Sequence, residues 1–487
     1  MKKSIRSIML GSGILLCLAM MFTSCEGEFD DLFGEWSRPT GNVNSGNEKP
    51  SGNIAVTSIT LDETSLEKKL GDVAVTLTAT VKPDDATDKT VTWTSSNPNV
   101  ATVDATGRVH AVAKGEAIIT AKAGDKTAEC TVKVIKIVDL STLTNHYEAE
   151  NGDILTGTLD GSTQPYKISI AAGATVTLKD VTINGVNDSG CRWAGITSIG
   201  DATIILEGTN TVKGFHLSYP GILAAHNTSG TEYTLTIKGT GSLTASPFDG
   251  GNTSSSNGAG IGGGDDISCG NIDIQNGNIT ATGGSGSAGI GSALPSINST
   301  SCGTISISGG IVNATGGNGG AGIGCASANN RSSSCGNISI SGGNITAIGN
   351  GSGAGIGSGS TNLATSSCGS ITISGGTVNA TGGTIYSDGG AGIGTGYAGN
   401  QKSSCGDISI LGGTVEATGG YGSAGIGTGY AANISQKTNC GNITITADVT
   451  SVTATKGSLA TSSIGKGHAE STCGTVDIAV GATVFQN

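Results

Sequence analysis

"CGNISISGGNITAIGNGSGAGIG", Cys335–Gly357, recurs in close copies down the C-terminal half of the chain. Its apolar residues alternate: Ile338 and Ile340, then Ile345 and Ala347, then Ala354 and Ile356. A period of two marks strands with one buried face. Each run is short and is bounded by "GG" or "GxG", which suits sharp corners where φ is positive or no side chain fits. Three short strands per repeat, with no period of 3.6, predict one turn of a parallel β-helix rather than a leucine-rich or ankyrin repeat.

Two markers keep the copies in phase. "CG" stands at Cys269, Cys302, Cys335, Cys368, Cys405, Cys440 and Cys473, in steps of 33, 33, 33, 37, 35 and 33 residues, and "AGIG" starts at Ala259, Ala288, Ala321, Ala354, Ala391 and Ala424. Stacked strands lie about 4.8 Å apart, so roughly ten rungs make a rod about 50 Å long. Surplus length sits mainly between "AGIG" and the next Cys, as in "TGYAANISQKTN", and is expected to protrude as a loop from one edge. The longer alternating runs "AAGATVTLKDVTING", "GDATIILEGTNTVKG" and "TEYTLTIKGTGSLTA" read as the first rungs. Together these residues resemble right-handed parallel β-helix domains of surface proteins of gut anaerobes, several of which are classed as carbohydrate-binding. The resemblance covers residues 140 to 487 and implies architecture, not a ligand.

Upstream the pattern changes. From Ile54 to about residue 135, short alternating runs such as "VTLTATV", "VTWTSS" and "AIITAKA" are broken by "KPDDATDKT" and "DATG", which predicts a small sandwich. "VTWTSSNPNVATVDATGRVHAVAKGEAIITA", Val91–Ala121, is similar to the bacterial immunoglobulin-like group 2 family. That resemblance implies Trp93 as core aromatic, Gly107 and Gly115 as turn residues, and a spacer or adhesion stalk. Cys130 has no partner in this segment, so no intersheet disulfide is expected. The whole is expected to be all-β: an N-terminal immunoglobulin-like β-sandwich followed by a right-handed parallel β-helix from residue 136 to 487.

The N-terminus addresses the compartment. Lys2, Lys3 and Arg6 precede an apolar stretch from Ile8 to Phe22, and "FTSC" ends at Cys25. These residues resemble the lipobox of bacterial lipoproteins, which implies a signal peptide over 1–24 and lipidation of Cys25. The acidic "EGEFDD" resembles the tract that sends many Bacteroidetes lipoproteins to the outer face of the outer membrane. Residues 25–53 read as a tether of Gly, Ser, Asn, Pro and acid. The membrane is thus expected to be met through the lipid alone.

Composition narrows the chemistry. With 83 glycines among 487 residues, 3% aromatics and 13% charged residues, the chain is not an ordinary packed enzyme. Its formal charge of −12 opposes a nucleic-acid partner. "GAGIGGG", Gly258–Gly264, satisfies G-x-G-x-x-G, but no helix follows to receive a phosphate. "GGNGGAGIG", Gly316–Gly324, lacks the aspartate of a calcium-binding roll. The cysteine ladder has neither histidine nor CxxC, against a zinc site. No metal or cofactor is expected. Neighbouring ladder cysteines stand within disulfide range, but a stack of small apolar thiols at a corner is the favoured reading, and whether Cys335 points inward depends on a bend at Gly336.

Glycoside hydrolysis needs two carboxylates across the bond. From Ile267 to Ala447 there are four acids, Asp273, Asp388, Asp407 and Glu416, three bases and no histidine. Asp265 with Asp266, and separately Asp188 and Arg192 beside Trp193, are what remains for catalysis, and a solvated loop is the favoured explanation of each set. No catalytic residue is therefore assigned, with a polysaccharide lyase or glycoside hydrolase as the alternative. Binding has better material. Tyr397 and Tyr430 each fall six residues after the first Ala of "AGIG", so they are expected one rung apart, and Tyr386 and Tyr421 lie in the turns before. Aromatic faces beside Asn400, Gln401, Asn433 and Gln436 suit sugar rings and hydroxyls, although tyrosines that merely cap the rod's corner remain the alternative. The expected partner is a polysaccharide or a host or cell-surface glycan, met in adhesion or glycan binding.

Overall fold

The computed structural model describes residues 52–227, 229–248, 256–432 and 437–487. The expectations for the signal peptide, Cys25, the tether, Asn433 and Gln436 lie outside the described residues. Ile54–Asn487 forms one compact unit. It is all-β: a small sandwich followed by a parallel β-solenoid, with a single three-residue 3-10 turn at Leu140–Thr142 among the described residues.

The sandwich runs from Ser58–Leu61 to the long strand Lys126–Asp139, over a core of Leu77, Val109, Ile119, Cys130 and Val132 against which Trp93 is partly buried. Gly107 holds φ of +81° under the Trp93 ring, where a Cβ would strike both the ring and the Leu77 carbonyl. Lys126–Asp139 pairs with Gly115–Ala123 and Ser65–Lys69, and its last four residues then pair with the solenoid strand Asp153–Asp160, the first of its own column. One strand therefore belongs to both sheets.

That junction is held electrostatically. The Asp153 carboxylate, 0% exposed, meets Lys114 Nζ at 2.6 Å and Lys136 Nζ at 3.6 Å, and accepts from the Tyr147 hydroxyl at 2.5 Å and the Glu150 N–H at 3.1 Å. Burial by itself would raise its pKa, but the hydrogen bonds from Lys114, Tyr147 and Glu150 outweigh burial and hold the carboxyl below its ordinary value.

Six rungs, those with a strand in the cysteine column, contribute four strands rather than the expected three. In the Cys335 repeat these are Ser333–Cys335, Ile338–Ile340, Asn344–Asn350 and Ile356–Gly357, each paired in register with its copies. One column alone stacks eleven strands, from Tyr147–Ala149 to Ile464–Gly465. The cysteines have a column of their own because the chain bends at Gly336, whose N–H is shared between the Cys302 and Gly303 carbonyls at 3.0 and 3.2 Å. The bend undoes the odd spacing, so Cys335 and Ile338 both point inward.

The repeat rungs from Cys269 onward fill the interior with the same small set, whereas the first rungs also bury Leu155, Leu178, Leu206 and Phe215. Ile338, Ile340, Ile345 and Ile356 are fully buried, each contributing about 1.5–3 kcal/mol of transfer free energy, against backbone ordering costs of similar scale. The glycine after each isoleucine of "AGIG" makes the corner. Gly357 has φ of +132°, and a Cβ there would run into the Gly394 carbonyl. The thiols line the core without disulfides: Cys325 Sγ lies 3.1 Å from Cys335 Sγ and Cys440 Sγ 3.0 Å from Cys473 Sγ. Burial pushes the Cys325 thiol well above its ordinary value, so it stays a protonated apolar group.

Candidate functional site

The rung edge after "AGIG" repeats as faithfully as the core. Ser327, Ser360, Tyr397 and Tyr430 occupy one backbone position in successive rungs. Each N–H donates to a turn carbonyl of the rung before: Ser327 to Gly286 at 2.6 Å, Ser360 to Gly319 at 2.8 Å, Tyr397 to Ser352 at 2.9 Å and Tyr430 to Gly389 at 3.1 Å. The next residues continue the column through parallel bridges Ala328–Thr361, Thr361–Ala398 and Ala398–Ala431. The backbone thus sets these side chains in a file, and only their size differs.

At the large end the rings pack together. Tyr397 and Tyr430 stack at 6.0 Å with 8° between planes, Tyr430 meets His468 edge-on at 4.6 Å, and Tyr421 approaches Tyr430 at 6.1 Å and 70°. At the small end a cleft of about 700 Å³ opens over Ser327 and Ser360, with Tyr397 as its aromatic wall. Such a volume lies within the range of small-molecule sites.

The sides of the cleft are polar. Asn329, Asn362 and Asn400 lie along one flank, where Asn400 Nδ2 donates to Asn362 Oδ1 at 3.1 Å. Asn318, Ser352, Ile385 and Asp388 complete the lining. The last two come from an inserted antiparallel hairpin, Thr384–Ile385 with Asp388–Gly389. Burial raises the Asp388 carboxyl above its ordinary value, against hydrogen bonds from Ser387 and Tyr397. The Tyr397 hydroxyl is raised in turn by burial and by the Asp388 charge. A cleft with one bare aromatic face, amide and hydroxyl edges and one carboxylate can stack a ring and bond its hydroxyls.

The other residues named from sequence are distributed differently. Tyr386 sits at the hairpin tip, 94% exposed with φ of +53°, away from the stack. Gln401 serves through its backbone, its carbonyl accepting from Thr361 Oγ1 at 2.5 Å. Arg192, far in sequence from the adjacent Asp265 and Asp266, lines one smaller cleft of about 240 Å³ with them, His216 and Tyr219. Asp266 Oδ1 is occupied there by the N–H groups of Ser296, Ile297 and Asn298 at 2.7–3.1 Å. Asp265 accepts from Ser218 and Asn257, both at 3.3 Å. Asp188 caps the Gly190 N–H at 2.8 Å, and Trp193 packs on Phe215 and His146. Sequence reasoning missed Asp388 as a cleft residue, together with Ser327 and Ser360. Counting six residues on from every "AGIG", and not only from those that reach a tyrosine, picks out both serines.

Residues 55–134 match the model of the bacterial Ig-like domain (group 2). The β-helix repeat model matches 272–293, 305–327, 338–360, 371–397 and 408–430. An uncharacterised protein of Clostridium acetobutylicum is 29% identical over 196 residues, 39% of this chain and 18% of that protein. A lacto-N-biosidase of Bifidobacterium bifidum is 55% identical over 71 residues, 14% of this chain and 6% of the enzyme. A kappa-carrageenase of Pseudoalteromonas carrageenovora is 42% identical over 100 residues, 20% of this chain and 25% of the enzyme. The chain thus spans a quarter or less of each of these three proteins.

Proposed function

We propose that this chain is a non-catalytic glycan-binding or adhesion protein, held at the outer membrane by a lipid on Cys25 and presenting its solenoid on the immunoglobulin-like module. The bare face of Tyr397 above a serine and asparagine cleft carries the reading. The partner is a polysaccharide or a cell-surface glycan. Aromatic faces supply contact area at low entropic cost, and amides with hydroxyls set orientation. Relatives named lacto-N-biosidase and kappa-carrageenase, each matched over a quarter or less of its length, support a carbohydrate setting.

Those same names favour a second reading, a polysaccharide-degrading enzyme. The cleft speaks against a glycoside hydrolase, because Asp388 is the one carboxylate among its described lining residues and hydrolysis needs two. Retention of the full chain on an array of immobilised glycans, followed by analysis of the released material, tests both. Wild type should be retained and Tyr397→Ala should be weakened roughly tenfold, the equivalent of about 1.4 kcal/mol of lost stacking. Equal retention by both proteins removes the tyrosine site, and shortened glycan in the wild-type supernatant removes the non-catalytic reading.

A further inference from the structure

The tyrosine stack has a direction. Tyr397 and Tyr430 lie in consecutive rungs with nearly parallel planes, so their stacking axis follows the length of the rod. Tyr430 covers one face of Tyr397. The other face looks toward the preceding rung, where Ser360 stands in the same backbone position, and beyond it Ser327. The cleft lies where those two rungs carry a hydroxymethyl group in place of a ring.

We infer that the cleft is a slot for one sugar ring, seated as the next plate of the stack against the bare face of Tyr397 at the level of Ser360. This rests on the glycan-binding reading and adds an orientation and a ligand class. A ring covers an aromatic face best when the planes are parallel. In an extended polysaccharide the ring planes follow the chain, so a chain laid along the rod would turn its ring edges, not its faces, to Tyr397. The bound ring therefore lies across the rod, as a chain end or a branch does. Its edge hydroxyls meet Asp388 on one flank and the Asn362–Asn400 pair on the other. Asp388 accepts a hydrogen bond from a ring hydroxyl and repels an acidic ring, and among the described residues no lysine, arginine or histidine lines the cleft to offset that repulsion. The class is a neutral terminal or branching sugar.

Ser360→Tyr tests the slot by supplying the next plate from the protein itself. On an array of neutral oligosaccharides with defined non-reducing ends, S360Y should lose retention by roughly tenfold or more while its melting temperature stays at the wild-type value. The methyl glycoside of the recognised end residue should compete with the wild type as effectively as a longer oligosaccharide. A folded S360Y that binds like wild type overturns the slot. So does competition that grows with each added residue along a linear chain, and this second readout decides the matter if S360Y does not fold. Wild type retained on no glycan removes the glycan reading as a whole. Loss of retention in Tyr397→Ala but not in S360Y removes only the orientation and keeps the site.

Discussion

The rungs that carry Ser327 and Ser360 and those that carry Tyr397 and Tyr430 share the same isoleucine columns and the same edge hydrogen bonds. Yet the first pair leaves a cleft of about 700 Å³ and the second fills the corresponding space with rings. The backbone is constant across that boundary, so the cleft is set by side-chain size at one edge. A solenoid permits this because each rung satisfies its backbone through its neighbours alone. The cleft then arises from residues that depart from the repeat.

The largest effect should come from the shared scaffold. Gly357→Ala combines left-handed strain with a clash against the Gly394 carbonyl, and should cost about 4 kcal/mol or more in denaturant unfolding. Near-wild-type stability would break the claim that all rungs depend on one corner geometry. Next comes the junction that gives the rungs their starting strand. Asp153→Asn strands Lys114 and should cost about 3 kcal/mol at neutral pH. The folded carboxyl titrates below its ordinary 3.8, so its contribution is fully present above that value and disappears as pH falls through the lower folded one. The gap between variant and wild type should therefore close in acid, and a pH-independent gap would assign the loss to packing.

The smallest effect sharpens the contrast at the edge itself. Asp388 has a raised carboxyl, so the folded state holds its proton more tightly than the unfolded chain does. Wild type then loses stability as pH rises from the unfolded value through the folded one. Asp388→Asn should melt at or slightly above the wild-type temperature at neutral pH, with the difference vanishing below the ordinary aspartate range. A lower melting temperature at neutral pH would show that the carboxylate stabilises the fold, and would weaken its place among groups kept for a ligand.

Much of this was legible because a repeat reports itself. The alternation of Ile338, Ile340 and Ile345 pointed to strands, the two markers to a solenoid, and the sixth place after "AGIG" to Tyr397 and Tyr430 as neighbours. The four-strand rung was less legible, since the odd spacing from Cys335 to Ile338 hides a strand until the bend at Gly336 is seen. Asp388 was read only as one of four acids in a carboxylate-poor array. Its place in the cleft depends on an inserted hairpin that no period of the sequence describes.

What the sequence determined by itself is what local geometry and burial dictate: two periods, glycine corners, an apolar core of Ile, Val, Ala and Cys, and an aromatic file at one edge. Only the tertiary structure decided which faces stay bare. Tyr430 takes one face of Tyr397 and leaves the other over Ser360, and Arg192 joins Asp265 across a long stretch of chain. The physical reason is that periodicity specifies which way a side chain points, whereas a cleft depends on what neighbouring rungs fail to fill.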